Sequence, residues 1–189
     1  LKVPHHSILC SCPIFAVPKS DGHLRLIWDG RSLNSQCQTP PSFHFIPLSS
    51  QLSHLLSANV RRFLTFDFST FFIQLTPHQK VASYFGTRLF DSSEWIVSGL
   101  PMGFTWGPFI AQSTSEGFAN KLSHDLEYIL TMMYIDNGIS AIMAESEEIA
   151  DQRLLSHRIH LEQCAKECGI VLKQSAIEQG SMVTWLGLQ

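Results

Sequence analysis

The segment from Ile129 to Met143 constrains the fold of this chain more than any other. Two apolar runs, Ile129–Tyr134 and Ile139–Met143, flank the short sequence Ile135-Asp136-Asn137-Gly138. Asn-Gly is the strongest two-residue signal for a β-hairpin turn, because both residues accept positive φ angles. The sequence therefore predicts a hairpin of two apolar strands, with the carboxylate of Asp136 at its apex.

A second carboxylate, Asp67, interrupts a predicted strand. The stretch 62–68 is rich in β-branched and aromatic residues, and Asp67 stands between Phe66 and Phe68. A carboxylate in such surroundings must be paired, protonated or bound to a cation. An antiparallel sheet can bring it next to a neighbouring hairpin tip, and two facing carboxylates suit Mg²⁺. Taken alone, the residues favour a structural alternative, in which Asp67 caps a strand end and Asp136 serves the turn.

The remaining patterns predict an α+β fold, an antiparallel sheet covered by helices. The segment 145–168 is the clearest helix, because it begins with acidic residues and is followed by Gly169. Its apolar residues at helical spacing are Ala150, Leu154, Leu161, Ala165 and Cys168; for Cys168, one turn after Cys164, core packing or a half-exposed face is expected. The other predicted elements are hairpins over 13–28 and 84–98, helices over 48–57 and 105–124, and strands over 170–172 and 182–186.

Net charge and cysteine content bear on which partners the chain can bind and in which cellular compartment it works. The 189 residues carry a net charge of −3, so any contact with nucleic acid depends on a few local Lys and Arg side chains. The five cysteines, an odd number, favour free thiols and an intracellular location, cytoplasmic or nuclear. The sequence has no secretory signal pattern and no apolar run as long as a membrane span. Zinc at His5, His6, Cys10 and Cys12 is a weak alternative, because the spacing fits no standard ligand pair.

Several segments, taken in chain order, resemble the successive motifs of reverse transcriptases. They are Pro13–Gly22 with Leu24–Asn34 (the fingers hairpin and its D-x-R-x-L-N continuation), Phe66–Leu75 (the first catalytic motif), Gly99–Pro108 (L-P-x-G-x-x-x-x-P), Tyr134–Asn137 (in the place of Tyr-x-Asp-Asp) and Trp185–Gly187 (the F-L-G primer grip). The match extends over nearly the whole chain, and its character is that of long-terminal-repeat or DIRS-like retroelements.

The resemblance implies polymerase fingers and palm with the thumb absent. The fingers would comprise 1–60 and 76–103, and the palm 61–75 and 104–189. The implied reaction is nucleotidyl transfer from a dNTP to a primer 3′ hydroxyl on an RNA or DNA template, with Mg²⁺ as cofactor and Mn²⁺ as an alternative ion. The implied covalent partner is the remainder of a Pol polyprotein, thumb and RNase H, with no membrane involved. Without a thumb to clamp the duplex, the isolated 189 residues are not expected to polymerise.

The resemblance also implies roles for residues of the fingers and the nucleotide pocket. Lys19 and Arg25 would contact the triphosphate of the incoming nucleotide, with a solvated pair of hairpin cations as the alternative. Phe72 would be the steric gate against a ribose 2′ hydroxyl, and its alternative is a core position. Met102 would pack near the sugar and base of the nucleotide, without donating a hydrogen bond.

At the catalytic centre, the resemblance implies that Asp67 and Asp136 are the metal ligands. The sequence also departs from the family pattern at two positions. Asn137 stands where the family has a second Asp, and an uncharged amide is a weak Mg²⁺ ligand, so we expect reduced activity. The family usually places a Lys near Ala176, whereas the nearest here is Lys173; an offset of three residues on a strand points to the opposite face, so Lys173 is not expected to substitute unless a loop intervenes. An alternative function is therefore a catalytically impaired relic that retains the fold and a nucleic-acid groove.

Overall fold

The structure is a computed structural model that describes residues 1–4, 7–19, 22–42, 50, 53 and 59–186. The chain divides into two compact units, the first comprising Leu1–Pro41 and Phe72–Ile110 and the second Ser42–Phe71 and Ala111–Gln189. The strands are β1 (Lys2–Val3), β2 (Ile14–Pro18), β3 (Leu24–Trp28), β4 (Val60–Asp67), β5 (Gly86–Arg88), β6 (Glu94–Ile96), β7 (Ile129–Tyr134), β8 (Asn137–Met143) and β9 (Glu178–Gly180). The helices are α1 (Arg31–Asn34), α2 (Phe71–Gln74), α3 (Gln79–Ala82), α4 (Gly107–Ser123) and α5 (Glu147–Cys168), with a 3₁₀ turn at Gln174–Ala176.

The first unit contains two antiparallel sheets. Strands β2 and β3 form the first predicted hairpin, and β5 and β6 form a shorter version of the second, extended by β1 in the order β1-β6-β5. The buried residues at the centre of this unit are Cys12, Trp28, Leu33, Phe85 and Leu100. The ring of Trp28 meets that of Phe85 edge-on at a centroid distance of 5.8 Å, a favourable aromatic geometry.

The second unit is built on a four-stranded antiparallel sheet in the order β7-β8-β4-β9. Its centre is aromatic: the ring centroid of Phe118, on α4, lies 5.1 Å from that of Phe68 and 6.2 Å from that of Phe66. Helix α5 packs on β4 and β8. The prediction of a mixed helix-and-sheet chain with antiparallel sheets is confirmed. Among the residues that the structure describes, no helix combines the length and apolar character needed to cross a membrane.

Helix α5 confirms the predicted helix. The side chain of Ser146 accepts a hydrogen bond from the Ile149 N–H at the amino end, and Gly169 ends the helix at a φ of 68°. Cys168 is exposed and does not pack in the core, whereas His157 and Cys164 are buried. Cys168 lies at helical spacing from 157, 161, 164 and 165, but it is the last residue of the helix, where the buried stripe ends.

The predicted strands near the carboxyl end are wrong. Leu172 forms only an isolated bridge with Phe68, and within the described residues 182–186 forms no strand. The edge strand is β9, which pairs with β4 in the register Phe63↔Gly180 to Thr65↔Glu178. An edge strand with exposed residues carries no apolar alternation, so its sequence gave no signal. The helix predicted over 48–57 falls, apart from Ser50 and Ser53, outside the described residues.

Candidate active site

Asp67 is the last residue of β4, and backbone hydrogen bonds hold the chain on both sides of it. Its own carbonyl oxygen accepts from the Lys173 N–H at 2.8 Å. The next N–H, that of Phe68, donates to the Asp136 carbonyl oxygen at 2.9 Å. Since Phe66 and Phe68 are buried, the Asp67 side chain emerges at the end of a strand that cannot shift without disturbing the aromatic core.

The hairpin that carries Asp136 forms, but with a turn different from the predicted one. Tyr134 pairs with Asn137, so the turn residues are Ile135 and Asp136, and Asn137 and Gly138 begin β8. Ile135 takes the positive φ of 56°. Gly138 serves packing instead: a Cβ atom there would lie 2.2 Å from Cζ of Phe66. In this register Phe66 lies directly opposite Gly138, so the absence of a side chain at Gly138 leaves room for the Phe66 ring.

The structure brings Asp67, Asp136 and Asn137 together. Asp67 on β4 lies directly opposite Asn137 on β8 in the sheet register. The Asn137 side chain donates from Nδ2 to Oδ1 of Asp136 at 3.1 Å. The two residues of the predicted metal site and the Asn that replaces a family Asp are therefore neighbours across two adjacent strands.

The carboxylates of Asp67 and Asp136 influence each other, and Lys173 offsets part of their negative charge. The Asp67 side chain is only 22% exposed. Its burial raises the pKa of the carboxyl above the ordinary value, the nearby charge of Asp136 raises the pKa further, and Lys173 opposes both. A divalent cation held by oxygen ligands would relieve the same two unfavourable effects, so the donor set fits Mg²⁺ or Mn²⁺.

Lys173 reaches this group because it lies outside a strand, the exception that the sequence left open. Its Nζ lies 3.8 Å from Oδ2 of Asp67. The chain forms one bridge at Leu172, the Lys173 N–H bonds to Asp67, and the 3₁₀ segment Gln174–Ala176 follows. Alternation of side chains between two faces does not apply across such a turn.

The zinc alternative finds no support in the part of the chain that is described. His5 and His6 lie outside the described residues. Cys10 and Cys12 bring their Sγ atoms to 3.7 Å, but burial, with the contact to Cys10, raises the pKa of Cys12 to about 11. A cysteine binds zinc as the thiolate, which this environment disfavours. No group of three or more His, Cys, Asp or Glu side chains suited to a metal occurs among the described residues.

Comparison with known families identifies the kind of domain. The sequence model described as "Reverse transcriptase (RNA-dependent DNA polymerase)" matches residues 17–189, most of the chain. The chain belongs to the reverse transcriptase family. No curated protein sequence matched it. The family's general activity is RNA-dependent DNA synthesis.

Solved structures show that the reverse transcriptase fold extends over the whole chain. A foamy viral protease-reverse transcriptase, described as dRH and in complex with double-stranded DNA, superposes with a TM-score of 0.73 at 18% identity and covers 99% of this chain. A second foamy viral protease-reverse transcriptase with double-stranded DNA gives a TM-score of 0.72 at 19% identity, again covering 99%. The chain spans 30% and 36% of these two proteins, so it corresponds to about a third of their length.

Two of the predicted substrate-binding residues of this reverse transcriptase chain lie on the β2–β3 hairpin. Val17 pairs with Arg25, and the Lys19 N–H donates to the His23 carbonyl oxygen at 2.8 Å. Residues opposite each other in an antiparallel pair share a face, and so do residues two apart along one strand. Lys19, two residues after Val17, therefore projects from the same side as Arg25. Both side chains are exposed.

The other two predicted substrate-binding residues also belong to the first unit. Phe72 is partly buried and packs against the central cluster of that unit, and its carbonyl oxygen accepts from the Leu100 N–H at 2.8 Å. Met102 is 42% exposed in the loop before α4. In the same loop Gly103 adopts a φ of 115°, and a Cβ atom there would lie 2.4 Å from the Trp28 carbonyl oxygen.

Two residues that sequence reasoning missed organise the loops around these positions. The Asn34 amide donates from Nδ2 to the Gly103 carbonyl oxygen at 2.7 Å, and its Oδ1 accepts from the Thr105 N–H at 3.0 Å. In the second unit, the Gln112 side chain makes two similar hydrogen bonds, to the Met133 carbonyl oxygen and the Ile135 N–H, beside the turn that carries Asp136. Asn34 was visible as the last residue of the D-x-R-x-L-N resemblance, whereas Gln112 stands in a helix of mixed polarity that gave no signal.

Proposed function

We propose that this chain carries the polymerase active site of an RNA-directed DNA polymerase that transfers a nucleotidyl group from a dNTP to a primer 3′ hydroxyl. Membership of the reverse transcriptase family supplies the reaction class. The single observation that carries the site assignment is the pair Asp67 and Asp136, adjacent on β4 and the β7–β8 turn, with the pKa of Asp67 raised by burial and by Asp136.

Asp67 and Asp136 would hold Mg²⁺ or Mn²⁺ in a two-metal arrangement. The bound ions supply positive charge that activates the primer hydroxyl and stabilises the leaving pyrophosphate. The protein's own contribution is orientation: the backbone on either side of Asp67 is fixed, and the Asn137 amide donates to the Asp136 carboxylate. Lys173 balances part of the negative charge before an ion binds.

The first unit would bind the nucleotide. Lys19 and Arg25 share an exposed hairpin face, which suits contact with a triphosphate. Phe72 would limit the space beside the sugar, and Met102 would pack near the sugar and base. In this proposal the first unit corresponds to fingers and the second to palm, close to the division 1–60 and 76–103 against 61–75 and 104–189.

The proposed partners are a template–primer duplex and, covalently, the remainder of a retroelement Pol polyprotein. Both solved relatives are complexes with double-stranded DNA, which supports a nucleic-acid partner. The net charge of −3 means that this segment alone offers little electrostatic attraction to phosphate. We therefore expect stable duplex binding to require the longer protein, inside the cell where the nucleotide pool is available.

An impaired relic is the second candidate function, and Asn137 is the observation that favours it. The amide of Asn137 adds no negative charge where the family pattern has a carboxylate, and its Nδ2 is engaged with Asp136. A chain of this kind would retain the fold and a nucleic-acid groove while extending primers slowly. The two candidates differ in rate, so a primer-extension assay separates them.

The test of the proposed function combines metal binding with polymerisation. Mn²⁺ binding to the 189-residue chain, followed by electron paramagnetic resonance, should be lost in Asp67→Asn and in Asp136→Asn. Asp125→Asn is the matched control, since Asp125 is an exposed residue at the end of α4 with the same charge. RNA-templated primer extension by the longer protein should fall with the two site variants only. Equal Mn²⁺ affinity in all variants would refute the metal site, and extension unaffected by Asp67→Asn would refute the function.

A further inference from the structure

One edge of β7 pairs with no strand among the described residues, and it runs to the turn that carries Asp136. Strand β7 stands at one end of the sheet order, with β8 as its neighbour. Tyr134 and Asn137 flank the two-residue turn and form the hydrogen-bonded pair of the hairpin. Backbone groups alternate in direction along a strand, so those of Met133 and Ile135 point away from β8. Unless another group pairs with them, the chain just before Asp136 has no anchor on that side.

The side chain of Gln112, on α4, pairs with both of these backbone groups. Its Oε1 accepts from the Ile135 N–H at 2.7 Å, and its Nε2 donates to the Met133 carbonyl oxygen at 3.2 Å. Gln112 is 7% exposed; its bond to Met133 is buried and its bond to Ile135 is partly buried. A carboxamide has the donor and acceptor of a peptide group, and here it takes the place of a neighbouring strand at one position of the edge.

A third hydrogen bond fixes which way the Gln112 amide faces. Nε2 also donates to Oε1 of Glu116, one turn further along α4, at 2.8 Å. A flipped amide would direct its NH₂ group at the Ile135 N–H and its oxygen at Glu116 and at the Met133 carbonyl oxygen. All three contacts would then become repulsive, so a single orientation is defined.

The turn requires such support, because Ile135 adopts a conformation that a β-branched residue rarely occupies. Its φ is 56°, at a position where Gly is usual. The bond from Gln112 holds the Ile135 N–H, and on the other side of the turn the Phe68 N–H holds the Asp136 carbonyl oxygen at 2.9 Å. The backbone of the dipeptide is therefore fixed from α4 and from β4 together.

We propose that Gln112 is a positioning residue for the metal site, acting through Ile135 on the carboxylate of Asp136. This inference rests on the proposed function, in which Asp67 and Asp136 bind the metal ions. Asn34 fixes the Gly103–Thr105 loop of the first unit with the same pair of bonds, a carbonyl and the N–H two residues later. Removing a group that orients a ligand typically weakens metal binding by about 10- to 100-fold.

The test compares Gln112→Leu, which keeps the side-chain size and removes the amide, with Thr131→Val. Thr131 lies on the same hairpin, where its Oγ1 meets Oγ of Ser140 at 2.9 Å, away from the turn. Mn²⁺ affinity of the 189-residue chain is measured by electron paramagnetic resonance at a temperature where both variants are folded. Gln112→Leu should raise the Kd by about tenfold or more. Thr131→Val should leave the Kd within about twofold even where it lowers the melting temperature.

Amide hydrogen exchange separates the positioning role from the proposed function. In Gln112→Leu the Ile135 N–H should lose protection while the amides inside β8 keep theirs. A Kd equal to that of the unmodified chain, or an Ile135 amide equally protected in both, would overturn the proposal. Asp67→Asn tests the function separately: if the unmodified chain shows no Mn²⁺ binding that depends on Asp67, the metal site fails, and Ile135 exchange still decides whether Gln112 holds the turn.

Discussion

The ammonium group of Lys173 lies 3.8 Å from the carboxylate of Asp67, Nζ to Oδ2. The backbone N–H of Lys173 also donates to the Asp67 carbonyl oxygen, so the main chain and the side chain of Lys173 both contact Asp67. Lys173 therefore places a positive charge where the proposed metal ions would bind. A cation that is already present should compete with a divalent ion for Asp67.

Lys173→Gln should tighten the binding of Mn²⁺. The Lys173 side chain is about half exposed, and an ion pair of this kind is worth up to about 1 kcal/mol, or about fivefold in Kd. The same change should raise the pKa of Asp67 further, because Lys173, which lowers it, is removed. Carboxyl ¹³C NMR and Mn²⁺ titration measure the two effects. Lys166→Gln, in the last turn of α5, is the control, and an equal response of both variants would contradict the competition.

Asn137→Asp should increase Mg²⁺ affinity and primer extension by the longer protein, and should destabilise the metal-free chain. The change adds a third carboxylate opposite Asp67 and removes the hydrogen bond from Asn137 to Asp136. Three clustered carboxylates repel each other until a cation binds. Melting curves with and without Mg²⁺ test this, with the exposed Asn120→Asp as the control. If the unmodified longer protein extends primers as fast as the variant, then Asn137 is a working member of the site.

Gly138→Ala should destabilise the chain by about 1–3 kcal/mol, because the new Cβ would lie 2.2 Å from Cζ of Phe66. Combining it with Phe66→Leu should cost less than the sum of the two single changes, since the smaller side chain makes room. Urea unfolding measures all three variants. Gly117→Ala is the opposite control: its Cβ would meet nothing within 4 Å on α4, and removing a helical glycine should stabilise by about 0.5–1 kcal/mol. Strict additivity of Gly138→Ala and Phe66→Leu would show that the two residues are not in conflict.

His157 should make the chain less stable in mild acid. Burial, with a smaller effect of the neighbouring His160, lowers its pKa from 6.5 to about 4. The native state thus resists protonation, so stability is complete above pH 6.5 and is lost as the pH falls from 6.5 towards 4. The loss is about 3 kcal/mol. Urea unfolding from pH 7 to 4 should show this slope reduced in His157→Leu and unchanged in the exposed His124→Gln; an unchanged slope in both would contradict it.

Local structure followed from the sequence wherever the signal was local. Apolar runs separated by short turn sequences located the hairpins, and helical spacing with a terminal Gly169 located α5 to within two residues. The ordered motifs indicated the family, and the family match over residues 17–189 confirmed it. These features depend on residues close to one another in the chain, so a one-dimensional pattern contains them.

The sequence alone determined that Asp67 belongs to a strand and that Asp136 lies in a hairpin turn. Only the tertiary structure decided the register that makes Ile135 and Asp136 the turn residues, the approach of Lys173 to Asp67, and the support of the turn by Gln112. The physical reason is the same in each case. Each feature depends on a contact between segments that are distant in the chain, and no spacing rule encodes such contacts. The contacts are the packing of Phe66 on Gly138, the hydrogen bond from the Lys173 N–H to Asp67, and the hydrogen bond from Gln112 on α4 to the edge of β7.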